Sequence, residues 1–309
     1  MMFLVIGYSN ENTLRHFVRF ARKNNADFRV LDLLALSKSK QIHIEETAND
    51  LVISTESSTF LFSDFSAFYC RFYYNSVLSP LRAMAMSRLI VALTAYMQEC
   101  DQIVVNRPSA GVDNINKFAH LQTLVNMGFN GKLTCIFGDD LYASRTITPD
   151  ETWISKSCSS IKTKVAVVDS DLYQRMPYLD FCPSLFQRRV IGPDVRVHVV
   201  GTEIFGEKII SQRVDYRYSD SRFGPNQFEP CAVPEKAAFL CREYCRKQGL
   251  AFAGIDFKIS ESDGKWYVLE ANPMPGYESY DSRLNHSISR ALLNYLTEIK
   301  NHETSRQHS

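Results

Sequence analysis

Toward its end the chain reads AGIDFKISESDGKWYVLEANPMPGY, residues 253–277, two strand-like runs carrying Asp256 on the first and Glu270 and Asn272 on the second. Two carboxylates and a carboxamide are hard oxygen donors. Mg2+ takes a few such oxygens and leaves its other positions to water and phosphate. Register decides whether these donors meet. A three-residue loop, Ser262-Asp263-Gly264, puts glycine where the backbone turns left-handed. Pairing then runs Glu261 with Lys265, Ile259 with Tyr267, Phe257 with Leu269 and Ile255 with Ala271, which makes one apolar face. The same count sets Asp256 opposite Glu270 on the other face, with Asn272 one pair further along. Like charges directly opposite destabilise a sheet. The two acids are therefore expected either to flank a cation or to lie on a solvated face as ordinary surface acids.

Basic residues upstream offer complementary chemistry. Lys156, in WISKSCSSIKTKVAVV, ends a strand-like run before a small polar loop, and a second strand starts near Thr163. A lysine and loop N–H groups so placed reach phosphate oxygens through charge-assisted bonds; otherwise Lys156 is an exposed edge-strand lysine. In FQRRVIGPDVRVHVVG, Gln187 ends a strand, and the backbone beyond it has donors and acceptors to offer an adenine edge. Asp194 and Arg196 share one face of the next strand, while Val195, Val197 and Val199 fill the other. Arg196 suits a phosphate clamp, or it makes a surface pair with Asp194. In SQRVDYRYS, Arg213, Asp215 and Arg217 share a face if the segment is a strand. The two arginines then suit a substrate carboxylate or acyl phosphate, unless the segment is a solvated charged edge.

These residues need elements to hold them. MFLVIG, a helix over Thr13–Asn24 and DFRVLDL form a strand–helix–strand opening, which points to a parallel α/β unit. Its first turn, GYSNEN, lacks a dinucleotide fingerprint. DLVIST and STFLFSD read as a hairpin, AFYCRFYYN as a strand that packs as core or receives a peptide, Pro80–Cys100 as a long helix and QIVVN as a strand. Asn114 or Asn116 starts a helix containing Lys117, Leu121 and Leu124 that ends near Gly128. KLTCIF, TWISK and TKVAVV are short strands. A strand-rich block from Ser184 leads to a helix over Pro234–Gln248 and then to the acidic hairpin. A helix over Ser287–Lys300 precedes a polar tail.

Net charge is +1 over 309 residues, with 22% charged and 45% hydrophobic side chains. So even a balance supplies no general attraction to nucleic acid or to a membrane surface, and neither partner is expected. The length suits two or three domain-sized units. Eight cysteines are scattered without a Cys-x-x-Cys pair or zinc-ligand spacing. Cys241 and Cys245 read as buried thiols. The opening MMFLVIGYSN is too short for a signal peptide and lacks a basic leader. The run AMAMSRLIVALTAYM is broken by Arg88 and is shorter than a bilayer span. A reduced, cytoplasmic protein is expected.

In order along the chain, Lys117, Lys156, the FQRRV hinge, PDVRVHVVG, GIDF and LEANPMPG resemble an ATP-grasp ligase, nearest the branch of ribosomal-protein glutamate ligases and graspetide synthetases. The resemblance spans about residues 104–280, and its most specific parts are the DVRV strand and Asp256…Glu270-x-Asn272. It implies an α/β (α+β) ATP-grasp fold with an N-terminal α/β domain over 1–103. A small lobe with its linking helix would cover 104–186, a C-terminal lobe with the metal site 187–300, and a disordered tail 301–309. It implies that Lys117 and Lys156 contact ATP phosphates. Gln187 and the backbone from Arg188 to Val190 would hold adenine, with Asp194 in the nucleotide-binding set. Asp256, Glu270 and Asn272 would bind two Mg2+ ions, or Mn2+ in their place, with Glu270 bridging.

The implied reaction joins a carboxylate to an amine through an acyl phosphate and releases ADP and phosphate. Arg196, Arg213 and Arg217 would serve it catalytically. The substrate would be a small-molecule amino acid or a peptide, and a homodimer or homotetramer fits the family. A non-catalytic nucleotide- or peptide-binding protein and a kinase acting on a hydroxyl are the alternatives. The sequence departs from the family in its serine-rich SCSS loop, in the absence of an obvious ribose acid within RRVIGPD, and in Arg188 and Arg189, which have no assigned role.

Overall fold

The computed structural model describes residues 2–39, 41–47, 50–72, 79–132, 134–137, 147, 152–158, 165–174, 184–218 and 221–297. The loop residues Ser159 and Ser160, the end of the FYCRFYYN run, Cys182 and the polar tail at 301–309 lie outside them. The chain divides into two compact units. The first comprises residues 1–110, 249–252 and 274–309, and the second 111–248 and 253–273.

The first unit starts with β1 (Phe3–Gly7), whose five residues are all buried. α1 (Asn12–Lys23) turns Leu14, Phe17, Val18 and Ala21 inward, the spacing of one helical face. β2 (Phe28–Asp32) pairs parallel with β1. β3 (Ile42–Glu46), β4 (Leu51–Thr55) and β5 (Thr59–Leu61) form a separate antiparallel sheet. The β4–β5 hairpin follows the sequence expectation, while β3, which that expectation did not include, has all five of its residues exposed. β6 (Ala67–Arg71) lies parallel to β1, and β7 (Ile103–Val105) parallel to β6, giving the sheet order β2-β1-β6-β7. α2 (Pro80–Glu99) begins on a proline at its first turn, where the missing N–H has no helical partner to lose. Its Met86, Leu89, Leu93 and Met97 join Phe62 and Phe68 in the core. Each phenylalanine so buried contributes about 1.5–3 kcal/mol.

In the second unit α3 (Lys117–Asn126) starts at Asn116, whose Oδ1 accepts hydrogen bonds from the backbone N–H groups of Phe118 and Ala119 at 3.1 Å each. β8 (Thr134–Phe137), β9 (Trp153–Ser157), β10 (Ala166–Val167) and β11 (Ser184–Arg188) build an antiparallel sheet in the order β10-β9-β11-β8. β12 (Asp194–Val200), β13 (Glu203–Ile210), β14 (Gln227–Pro230), β15 (Phe252–Ile259) and β16 (Trp266–Asn272) build a second, in the order β14-β13-β12-β15-β16. α4 (Glu235–Lys247) buries Ala237, Ala238, Cys241, Tyr244 and Cys245, and both cysteines are free, inert thiols pushed well up by burial.

The hairpin differs from its expected register in an instructive way. Ser260 N–H donates to Lys265 O at 2.9 Å, so the loop is Glu261–Gly264, one residue longer than expected, with Gly264 left-handed at φ +66°. Phe257 therefore faces Val268 and Ile259 faces Trp266, not Leu269 and Tyr267. Continued inward, that register would set Glu270 against Ile255. A bulge at Leu269 absorbs the extra residue, and Asp256 and Glu270 meet as partners, as do Ile255 and Ala271.

Two further expectations change. β13 ends at Ile210, so Arg213, Asp215 and Arg217 lie on an irregular loop and not on a strand. The last helices, α5 (Glu278–Arg283) and α6 (Ser287–Thr297), belong to the first unit, so the chain beyond Pro273 departs from the lobe that contains the hairpin.

Candidate active site

Asp256 and Glu270 stand side by side on β15 and β16, and Asn272 follows on the same face two residues beyond Glu270. Asn272 Nδ2 donates to Glu270 Oε1 at 3.3 Å, and Asn272 Oδ1 accepts from Asn114 Nδ2 at 3.2 Å. From the neighbouring β12, Arg196 Nη1 donates to Asp256 Oδ1 at 2.7 Å. Arg196 and Asp194 are both buried, at 6% and 8% exposure, so neither belongs to a surface pair. Asp194 instead receives Lys258 Nζ at 3.0 Å, and the same ammonium donates to Gly192 O at 3.0 Å. Gly192 is required there. At φ +139°, its ideal Cβ would stand 1.9 Å from Ile259 O.

Burial and the neighbouring Glu270 push the Asp256 carboxyl up, while Arg196 pulls against them. Burial acts on Glu270 too, but the Asn272 hydrogen bond and the charges of Lys156, Arg217 and Arg196 outweigh it and hold this carboxyl below its usual value. The pair is thus split, with Glu270 the firmly ionised member. Asp194 is pushed up to about 6 by burial, against the opposing charge of Lys258.

Lys156, on β9, donates to Gln187 Oε1 on β11 at 3.3 Å. Gln187 in turn donates Nε2 to Thr134 Oγ1 on β8 at 2.9 Å and is 2% exposed. Burial brings the Lys156 ammonium down to about 8; Glu270 opposes that fall, and the charges of Lys117 and Arg217 add to it. Lys117 Nζ reaches Ser157 O, next to Lys156 in β9, at 3.4 Å. The sequence-predicted lysines and acids therefore share one electrostatic neighbourhood, and the alternative of an exposed edge-strand Lys156 is overturned.

The arginines divide. Arg217 grips Asp215 through Nε at 2.8 Å and Nη2 at 2.7 Å. Its hydrogen bonds to Asp215 raise its pKa, burial opposes, and the charges of Asp215, Glu270 and Asp256 raise it further. Arg213 is turned to its own loop, donating to Asn226 Oδ1 at 3.0 Å and to the carbonyls of Phe223 and Gly224 at 3.3 and 2.9 Å. The structure thus joins Arg217 to the acids and makes Arg213 a loop brace. Arg188 lies over the Trp153 ring at 5.7 Å, and Arg189 N–H donates to Thr152 O at 2.9 Å, so that N–H is engaged within the sheet. Val190 is buried just beyond them.

Sequence reading missed two supports. His120, 1% exposed, accepts the Ala271 N–H on Nε2 at 2.9 Å and so pins the strand between Glu270 and Asn272. Asn114 holds Asn272 itself. Both lie within three residues of Lys117, and that clustering around a helix start was the available signal.

The donor set fits a hard dication. Its oxygens come from adjacent strands and converge on one face, with two carboxylates as direct neighbours and a carboxamide beside them.

No family model matches the chain. Among curated proteins it is 26% identical to N-acetylaspartylglutamate synthase A of Mus musculus over 231 residues, 70% of this chain and 60% of the relative. It is 23% identical to beta-citrylglutamate synthase B of Danio rerio over 233 residues, 71% of this chain and 56% of the relative. The chain thus matches somewhat over half the length of these curated relatives. Among solved structures, the macrocyclase MdnC of Microcystis aeruginosa bound with its precursor peptide superposes with TM-score 0.80 at 17% identity, covering 96% of this chain and all of that one. A Chryseobacterium gregarium RiPP-associated ATP-grasp ligase, in complex with ADP and a leader and core peptide, gives TM-score 0.79 at 18% identity, with 96% of each chain covered. D-alanyl-alanine synthetase A of Vibrio cholerae gives 0.61 at 11% identity over 96% of this chain and 97% of that one. With the acids of β15–β16 and the lysines of α3 and β9 gathered in one unit, the chain has the ATP-grasp fold that these ligases and synthetases share.

Proposed function

We propose that this protein is an ATP-dependent ligase that joins a carboxylate to an amine through an acyl phosphate, releasing ADP and phosphate. The observation that carries the reading is the half-buried Asp256–Glu270 pair, tied to the buried Arg196 and set in the field of Lys156 and Arg217, within an ATP-grasp fold. Two facing carboxylates partly withdrawn from water are costly without a bound partner of complementary charge.

In this reading Asp256, Glu270 and Asn272 hold two Mg2+ ions, for which Mn2+ can substitute. When bound, the ions neutralise negative charge on the transferring phosphoryl group. Lys117 and Lys156 hold the phosphate oxygens of ATP. Gln187, locked between Lys156 and Thr134, stands with the Arg188–Val190 backbone at the adenine end, and Asp194 with Lys258 braces the nucleotide-binding strand. Arg196 keeps Asp256 oriented and adds positive charge, and Arg217 faces the substrate carboxylate. The carboxylate oxygen bonds to the γ-phosphorus as the bond to ADP breaks. The amine then bonds to the acyl carbon, phosphate leaves, and the amine gives up a proton. Such chemistry depends on positioning and charge, with no nucleophilic side chain.

A peptide substrate is favoured over a free amino acid, since the MdnC and Chryseobacterium structures contain peptides while covering nearly this entire chain. Among the described residues no helix is long and apolar enough to cross a membrane, and we infer a cytoplasmic enzyme. Intact-mass analysis with ATP, Mg2+ and candidate peptides or amino acids tests the reading. Loss of one water from a peptide, or gain of one amino-acid residue, with ADP release requiring both carboxylate and amine, is expected. ADP release with a hydroxyl acceptor alone would make the protein a kinase, and nucleotide binding without turnover of any pair would make it a binding protein.

A further inference from the structure

Away from the ATP-grasp machinery, the first unit draws two imidazoles and a carboxylate together. His16 projects from α1, Asp281 from α5, and His286 from the turn before α6. His16 Nε2 lies 2.7 Å and His286 Nδ1 3.4 Å from the same oxygen, Asp281 Oδ2, and all three donors lie within 4.8 Å of one another. In a tetrahedron with zinc–donor bonds of about 2.0–2.1 Å, neighbouring donors stand about 3.3–3.4 Å apart. The His286 separation matches that spacing, and His16, now at hydrogen-bonding distance, would draw back slightly to admit the ion.

The surroundings are organised for ligation. Asp281 is fully buried, and Ser289 fixes it from behind, N–H to Oδ1 at 3.0 Å and Oγ–H to Oδ2 at 2.6 Å. Hydrogen bonds of this kind orient a ligating carboxylate. Asn285 and His286 are both left-handed, at φ 53° and 58°, a conformation that side-chain-bearing residues adopt only at a cost. That backbone turns the His286 imidazole back onto Asp281. The His16 and His286 rings lie 5.5 Å apart, and Tyr277 and Phe20 flank them at 5.8 and 5.7 Å. Imidazole nitrogen with one carboxylate oxygen is a borderline-soft set that selects zinc over magnesium.

We propose that His16, Asp281 and His286 form a zinc site, with its fourth position left to water, that clips α1 to the two C-terminal helices. The ligands come from opposite ends of the sequence, so the ion would hold the chain's last helices against its first.

The test is titration of untagged, metal-stripped full-length protein with Zn2+ in excess Mg2+ and ADP, followed by calorimetry, with Co2+ absorption as a second reporter. One zinc per chain is expected, together with a tetrahedral Co2+ spectrum and a higher Tm with zinc. His286→Asn keeps a side chain that tolerates the left-handed backbone, and His16→Gln keeps a hydrogen bond to Asp281. Each should abolish the zinc-dependent rise in Tm while leaving the metal-free Tm near wild type. Ser289→Ala should weaken zinc about 10–100-fold. Failure of the wild-type protein to bind zinc, or zinc binding unchanged in both histidine variants, would reduce the cluster to a hydrogen-bonded clasp and overturn the proposal.

Discussion

Lys156 gives the sharpest quantitative test of the active-site reading. Burial lowers its ammonium to about 8, with Glu270 partly restoring it and Lys117 and Arg217 adding to the fall. The form that attracts phosphate is the protonated one, so the sign is definite. Its contribution to nucleotide binding is complete well below about 8 and is lost as pH rises through that value. One pH unit below, about ten lysines in eleven carry the proton; one unit above, about one in eleven does. Affinity should therefore fall about tenfold from pH 7 to pH 9, or about 1.4 kcal/mol. ADP binding followed by calorimetry from pH 7 to 9.5 in EDTA measures this directly. Chelation matters, because a dication beside Glu270 would cancel the carboxylate charge that supports the Lys156 proton. Lys156→Arg carries a group that stays protonated throughout and should flatten the profile, whatever it does to absolute affinity. A flat wild-type profile, or an undiminished fall in Lys156→Arg, would show that Lys156 does not carry the phosphate contact.

Four further outcomes follow from the same geometry. Glu270→Gln should eliminate Mg2+-dependent ADP release and lower Tm modestly at neutral pH, since the fold holds this carboxyl below its usual value and so favours its ionised form; acyl-phosphate formation at the wild-type rate would remove the metal assignment. Arg196→Met leaves Asp256 buried without its guanidinium and should cost about 3–5 kcal/mol in urea unfolding at neutral pH. The loss should shrink as pH falls and Asp256 protonates; a pH-independent loss would mean packing, not charge. Arg213→Ala, which strips the hydrogen bonds to Asn226, Phe223 and Gly224, should lower stability by about 1–3 kcal/mol with little change in KM. Arg217→Ala should instead raise KM for the carboxylate substrate, and the opposite pattern would exchange the two roles.

The zinc proposal stands apart from these predictions, since its ligands lie in the other unit and its readout is thermal and spectroscopic. Loss of ligase activity in the Glu270 variant would leave it untouched.

Much of this protein is legible in one dimension because its elements are strongly periodic. The alternation of Val195, Val197 and Val199 against Asp194 and Arg196 identifies β12 and its two faces. Asn116 marks the start of α3, and the Asp256–Glu270 pairing is recoverable by counting from Gly264. That count succeeded through compensation, since a longer loop and a bulge at Leu269 cancel. The hydrophobic pattern constrains which face each acid takes far more tightly than it constrains loop length. What tertiary structure alone decided are the partners. Asp194 joins Lys258 and not Arg196, Arg213 turns to its own loop, His120 supports the strand that carries Glu270, and His16 meets Asp281 across 265 positions of sequence. Periodicity fixes the direction of a side chain relative to its own element. Its partner is set by how elements distant in sequence stack, and no local pattern encodes that.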